Sequence, residues 1–112
     1  MAEPSSFQPL LPLSGVAVGR MRSCKVGDRE VVVCHTREGI FTVDNVCSHA
    51  FARMSEGALK GTRIICPLHG ASFDVRTGRV LGGPAFMPIA TYETRVTDGT
   101  VEIALPVAAG VK

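Results

Sequence analysis

At 112 residues and a formal net charge of +2, the chain has room for one domain and too little charge bias to argue for nucleic acid or an anionic membrane as its main partner. Charged residues make up 20% and apolar residues 46%, which excludes a disordered chain. Apolar runs such as Val31 to Cys34 are only a few residues long, so no membrane-spanning helix is expected.

Residues 1–6 read as a flexible start, with a single domain over 7–112. The opening MAEPSSFQPLLPL has no positively charged start and is broken by Pro9 and Pro12, so no secretory leader is expected. The expected location is the cytoplasm, where thiols stay reduced and cysteines bind metals more often than they form disulfides. With 12 glycines and 7 prolines, many turns and short strands are expected rather than a helix bundle.

Arg20 to Val26 and Glu30 to Thr36 flank Gly27-Asp28, a tight hairpin turn that pairs residue 24 with 31 and 21 with 34. This register puts Cys24 and Cys34 on opposite faces, as small buried hydrophobes and not as a disulfide. Gly39 to Val46 follows through another hairpin-type turn. Ala50 to Lys60 is at most a short helical turn. Thr62 to Cys66 is a β-branched run, and Ser72 to Val75 is joined to Arg79-Val80-Leu81 by Arg76-Thr77-Gly78. Ala90 to Val96 and Thr100 to Leu105 flank Asp98-Gly99, the strongest hairpin signal in the chain. The reading is all-β: an antiparallel β-sandwich or small barrel of about eight strands or more.

The interval 47–84 differs. It is rich in Gly, Ser, His and Pro, and its strands are too short to build much core, so it needs a staple such as a metal site. Two cysteines and two of the three histidines fall there, as Cys47-Ser-His49 and, after 16 residues, Cys66-Pro-Leu-His69. Zinc accepts such a ligand set, but its usual arrangement keeps the cysteines in one pair and the histidines in the other. Mixed pairs suit a binuclear cluster, with Cys47 and Cys66 on one iron and His49 and His69 on the other. Pro67 and Gly70 fit a loop wrapped tightly around an inorganic core.

C-x-H-x16-C-x2-H followed by GASFDVRTGRV resembles the Rieske [2Fe–2S] family, and the resemblance runs from the strand near Phe7 to the hairpin at Asp98-Gly99. It implies one cluster per chain in a subdomain, about residues 47–84, inserted in a β base. Met54-Ser55-Glu56-Gly57 resembles the family's segment between the ligand loops, and Leu81-Gly82-Gly83-Pro84 its proline loop over the cluster. With two neutral imidazoles the oxidised core carries no net charge, so its reduction potential lies above that of four-cysteine clusters. High-potential members have a disulfide where this chain has Ala52 and Leu68, and a tyrosine where it has Phe73. The expected potential is therefore at the low end of the family range.

Only His35 is left over for a mononuclear iron site, and one histidine does not make a catalytic centre with two histidines and a carboxylate. The implied role is not enzymatic by itself. It is a one-electron shuttle resembling the ferredoxins that carry electrons from a flavin reductase to a terminal aromatic-ring dioxygenase. A small subunit of an assimilatory nitrite reductase is the alternative within the fold, and a zinc-stabilised interaction module the alternative outside it. A monomer suits a shuttle that faces two partners in turn. Residues 47–84 carry five basic and two acidic side chains, which suits acidic docking surfaces on those partners. His35 is expected to point to a surface or to satisfy a local bond, Asp74 to have a structural role, and Gly78 and Gly99 to serve turns.

Overall fold

The computed structural model describes residues 5–46, 52–67, 70–83 and 87–106. In chain order, the strands before the ligand interval are β1 (Ser5–Pro12), β2 (Arg20–Val26), β3 (Arg29–Thr36) and β4 (Gly39–Asp44). Within it lie β5 (Ala58–Lys60), β6 (Arg63–Ile65), β7 (Ser72–Asp74) and β8 (Val80–Gly82). After it come β9 (Thr91–Tyr92), β10 (Thr94–Thr97) and β11 (Thr100–Pro106). They form three antiparallel sheets in the orders β1-β11-β10, β2-β3-β4-β9 and β5-β6-β7-β8. Among the described residues there is no α-helix, and no helix long and apolar enough to cross a membrane.

Turn chemistry sets the register of the base. Gly27 at φ +61° turns β2 into β3, which pairs Cys24 with Val31 and Met21 with Cys34. Asp98 and Gly99 both have positive φ, as the tight turn between β10 and β11 requires. Pro9 and Pro12 sit in β1, at the edge of its sheet, where a missing N–H costs least; the pairing with β11 shifts between Pro9 and Leu11.

Strand β3 is the spine. Val31, Val32, Val33 and Cys34 are all fully buried, although neighbouring side chains on a strand point to opposite faces. Val32 and Cys34 join Val43, Met54, Ile64, Cys66, Ala71, Phe73 and Val75 in one core, while Val31 and Val33 pack toward Ile103 and Val101 on the other side. A continuous apolar run covered on both faces contributes roughly 2 kcal/mol per valine.

Strands β4 and β9 are neighbours through Thr42↔Tyr92 and Val43↔Thr91. The whole sheet β5–β8 is thus an excursion between two adjacent strands of the base. Cys34 is fully buried in one core, whereas Cys24 is only partly buried, against the other; they form no disulfide.

Four differences from the sequence reading exceed a single residue. Strand β1 begins at Ser5, inside the expected flexible start, and β4 ends at Asp44, not Val46. Ala50 to Lys60 was expected to give no strand, yet a 3-10 turn at Met54–Glu56 leads into β5. The run Ala90 to Val96 breaks at Glu93 into strands of two different sheets. There the Thr94 hydroxyl donates to the Tyr92 carbonyl at 2.8 Å, and Glu93 O accepts from the N–H of Ala104, so both carbonyls at the switch between sheets are satisfied.

Candidate metal centre

The first candidate loop has a closed neck. Val46 and Arg53 form an isolated antiparallel bridge, and the N–H of Met54 donates to Asn45 O at 2.6 Å. Cys47 and His49, which this neck encloses, lie outside the described residues.

The second loop starts at Cys66, which follows β6 and is 1% exposed. Its N–H donates to Ala71 O at 2.7 Å, closing a loop over residues 66–71. Gly70 sits at φ +75°, a conformation that L side chains rarely adopt. His69 lies outside the described residues.

Two further segments press on the second loop. A Cβ on Gly57 would lie 1.8 Å from Ile65 O and 3.1 Å from Pro67 Cδ. A Cβ on Gly83, which has φ +86°, would lie 2.5 Å from Ala71 Cα. The Met54–Glu56 turn and the end of β8 therefore converge on the segment that carries Cys66. Gly82 and Gly83 are in place there; Leu68 and Pro84 are outside the described residues.

This setting fits a thiolate–metal site. Cys66 is packed among Met54, Ile64, Ala71 and Phe73, where an uncompensated thiolate charge would be costly and a cationic metal would offset it. The two-thiolate, two-imidazole donor set read from the sequence suits iron in a cluster or zinc. Phe73, fully buried in β7, brings no hydroxyl to the surroundings.

The charged groups nearby serve the scaffold. Arg53 donates to Glu30 from Nε at 3.0 Å and Nη2 at 3.4 Å, and holds the Glu30 carboxyl below its ordinary pKa. Arg76 donates to Asp74 from Nε, Nη2 and its backbone N–H, at 2.9–3.0 Å, and holds that carboxyl low in the same way. Its Nη1 also reaches Glu38 at 3.1 Å, so the turn after β7 is tied to the turn between β3 and β4. Nδ1 of His35 lies 2.8 Å from Val16 O, a structural bond and not a ligand contact. Sequence reasoning missed Glu30, Asn45 and Arg53, whose partnership depends on how β3 meets the first neck.

The chain is similar to known proteins along most of its length. The family model for the Rieske [2Fe-2S] domain matches residues 6–93. The ferredoxin component of a naphthalene 1,2-dioxygenase system from Pseudomonas putida is 38% identical over 93 residues, covering 83% of this chain and 89% of the relative. Among solved structures, the Sphingomonas yanoikuyae B1 ferredoxin superposes with a TM-score of 0.85 at 32% identity, covering 90% of this chain and 100% of that one. A chain of the complex of reduced oxygenase and oxidized ferredoxin in carbazole 1,9a-dioxygenase superposes at 0.82 and 30% identity, covering 88% and 92%.

Proposed function

The chain belongs to the Rieske [2Fe–2S] domain family and is a carrier for that cluster; from this we propose that it is the ferredoxin component of an aromatic-ring dioxygenase system. It takes electrons singly from a flavin-dependent reductase and delivers them to a terminal Rieske oxygenase. The observation that carries the reading is similarity to the P. putida ferredoxin component over 83% of this chain and 89% of that one. The carbazole dioxygenase complex, in which a similar ferredoxin meets its oxygenase, supports the second partner. The small nitrite reductase subunit is the weaker alternative, because the relatives named above are ferredoxins.

In this reading Cys47 and Cys66 hold one iron and His49 and His69 the other, and residues 47–84 form the cluster-binding insert within a single domain. When bound, the cluster supplies a one-electron redox centre in the Rieske range of roughly −150 to +300 mV. The chain's own residues hold the ligands and exclude water. Cys66 is buried in one core with Met54, Ala71 and Phe73, and Gly57 and Gly83 admit the backbone contacts that bring the flanking segments close. The potential lies at the low end of the range, since Ala52 supplies no disulfide sulfur and Phe73 no hydroxyl donor. The protein works as a monomer in the cytoplasm, a reducing setting that suits Cys24 and Cys34 on opposite faces of their hairpin.

The test is reconstitution with the reductase and oxygenase of such a system, scoring NADH-dependent aromatic oxidation. Turnover that requires this chain, and is lost with His69→Ala, is expected. Turnover independent of it contradicts the assignment.

A further inference from the structure

Next to the first neck lies a polar cluster that the electron-carrier reading does not use. Asn45 is 1% exposed. Its backbone N–H donates to Glu30 O at 2.9 Å, and its carbonyl accepts from the N–H of Met54 at 2.6 Å. Its side-chain Oδ1 accepts from the N–H of Ser55 at 2.8 Å, and its Nδ2 donates to Glu30 Oε1 at 3.5 Å. The Glu30 carboxylate also receives Arg53, whose backbone bridges to Val46. A closed circuit thus joins the start of β3 to both sides of the loop that contains Cys47 and His49.

The circuit is specific in its chemistry. One short amide supplies an acceptor to a backbone N–H on one side and a donor to a carboxylate on the other. An apolar side chain of similar size supplies neither, and leaves the Ser55 N–H without its acceptor. The spacing of the two ends of a ligand loop decides where its donor atoms sit, and groups one step out from the ligands orient them.

We propose that Asn45 is the positioning residue of the first ligand loop, with the Glu30–Arg53 ion pair as a second anchor, so that strand β3 of the base sets how firmly and in what geometry the loop grips the cluster. The proposal rests on the reading that Cys47 and His49 are ligands. Asn45 is not itself a ligand; it acts through the loop.

The experiment compares purified holoprotein of the wild type, Asn45→Ala, Glu30→Gln and Thr42→Ala. Thr42 is a control of equal burial, bonded through its hydroxyl to Thr94 on the base. Three quantities are read: the rate of iron release to a chelator, the EPR g-values of the reduced protein, and the urea midpoint. Asn45→Ala is expected to speed release about tenfold or more, the usual scale for losing a group that orients a metal ligand, and to shift the g-values. Glu30→Gln shifts both the same way by less, and decides the matter alone if Asn45→Ala does not fold. Thr42→Ala lowers the urea midpoint with wild-type release and spectrum. Wild-type release and g-values in both neck variants overturn the proposal, as does a Thr42→Ala change as large as that of Asn45→Ala. A wild-type spectrum without coupling to imidazole nitrogen overturns the ligand reading, and this proposal with it.

Discussion

Two cysteines show how placement decides the chemistry of one residue type. Cys34 is enclosed by apolar neighbours on β3, and burial pushes its thiol up to about 12. It is therefore protonated and inert at pH 8. Iodoacetamide at that pH should leave Cys34 unlabelled in the native protein and label it on unfolding, as peptide mass spectrometry reads directly. Cys66 is as deeply buried but follows a strand at a closed loop, a setting suited to a ligand. Asp74 offers a pH prediction. Hydrogen bonds from Arg76 hold its folded pKa below the ordinary value of 3.8, so its stabilisation is complete above that value and is lost as pH falls through the lower folded one. The urea midpoint of Asp74→Asn should fall less steeply than that of the wild type as the pH is lowered below 3.8; parallel curves would contradict the assignment. The candidate ligands are visible in the sequence because their spacing is local. Asn45 and Glu30 are not, because a contact 15 residues apart in sequence exists only once β3 and the neck have met.

Among the elements, glycines separate turns from contacts. Gly99 has positive φ with nothing within 4 Å of its missing Cβ, so Gly99→Ala should cost only about 1 kcal/mol. Gly83 combines positive φ with a clash against Ala71, and Gly83→Ala should cost about 3 kcal/mol and force the end of β8 away from the second loop. Urea unfolding gives the two costs, and visible absorbance reports the cluster. Equal costs with unchanged absorbance would show that the β8 contact does not support the site. The β2–β3 register is readable in advance because a two-residue turn fixes it. Strand β5 is not: three residues give no alternation to detect, and they become a strand only by pairing with β6. The break at Glu93 is equally silent, since both halves of that run have strand character and only the sheet switch separates them.

For the molecule as a whole, the informative feature is the adjacency of β4 and β9 with a complete sheet between them in sequence. No local pattern announces it; the family resemblance implies only an insert in a β base. Core packing then welds the excursion to the base, because Val32, Cys34 and Val43 share one cluster with Met54, Ile64, Cys66 and Phe73. The two ion pairs between base and insert lie near opposite ends of β3, Glu30–Arg53 and Glu38–Arg76. They engage two of the insert's five basic residues. Lys60, Arg63 and Arg79 take part in none of the ion pairs found among the described residues and are exposed. Electron transfer to the oxygenase should slow as ionic strength rises from about 0.01 to 0.3 M, over which the screening length falls severalfold. A flat profile would remove electrostatic steering from the picture.

The identity of the four ligands bears most of this weight, and pulsed EPR of the dithionite-reduced protein, with iron and acid-labile sulfide assayed on the same sample, addresses it. Two irons and two sulfides per chain are expected, with couplings to two imidazole nitrogens that disappear with the cluster in His49→Ala and His69→Ala. A reduced centre without nitrogen coupling, or a colourless protein holding one zinc and no sulfide, would contradict it.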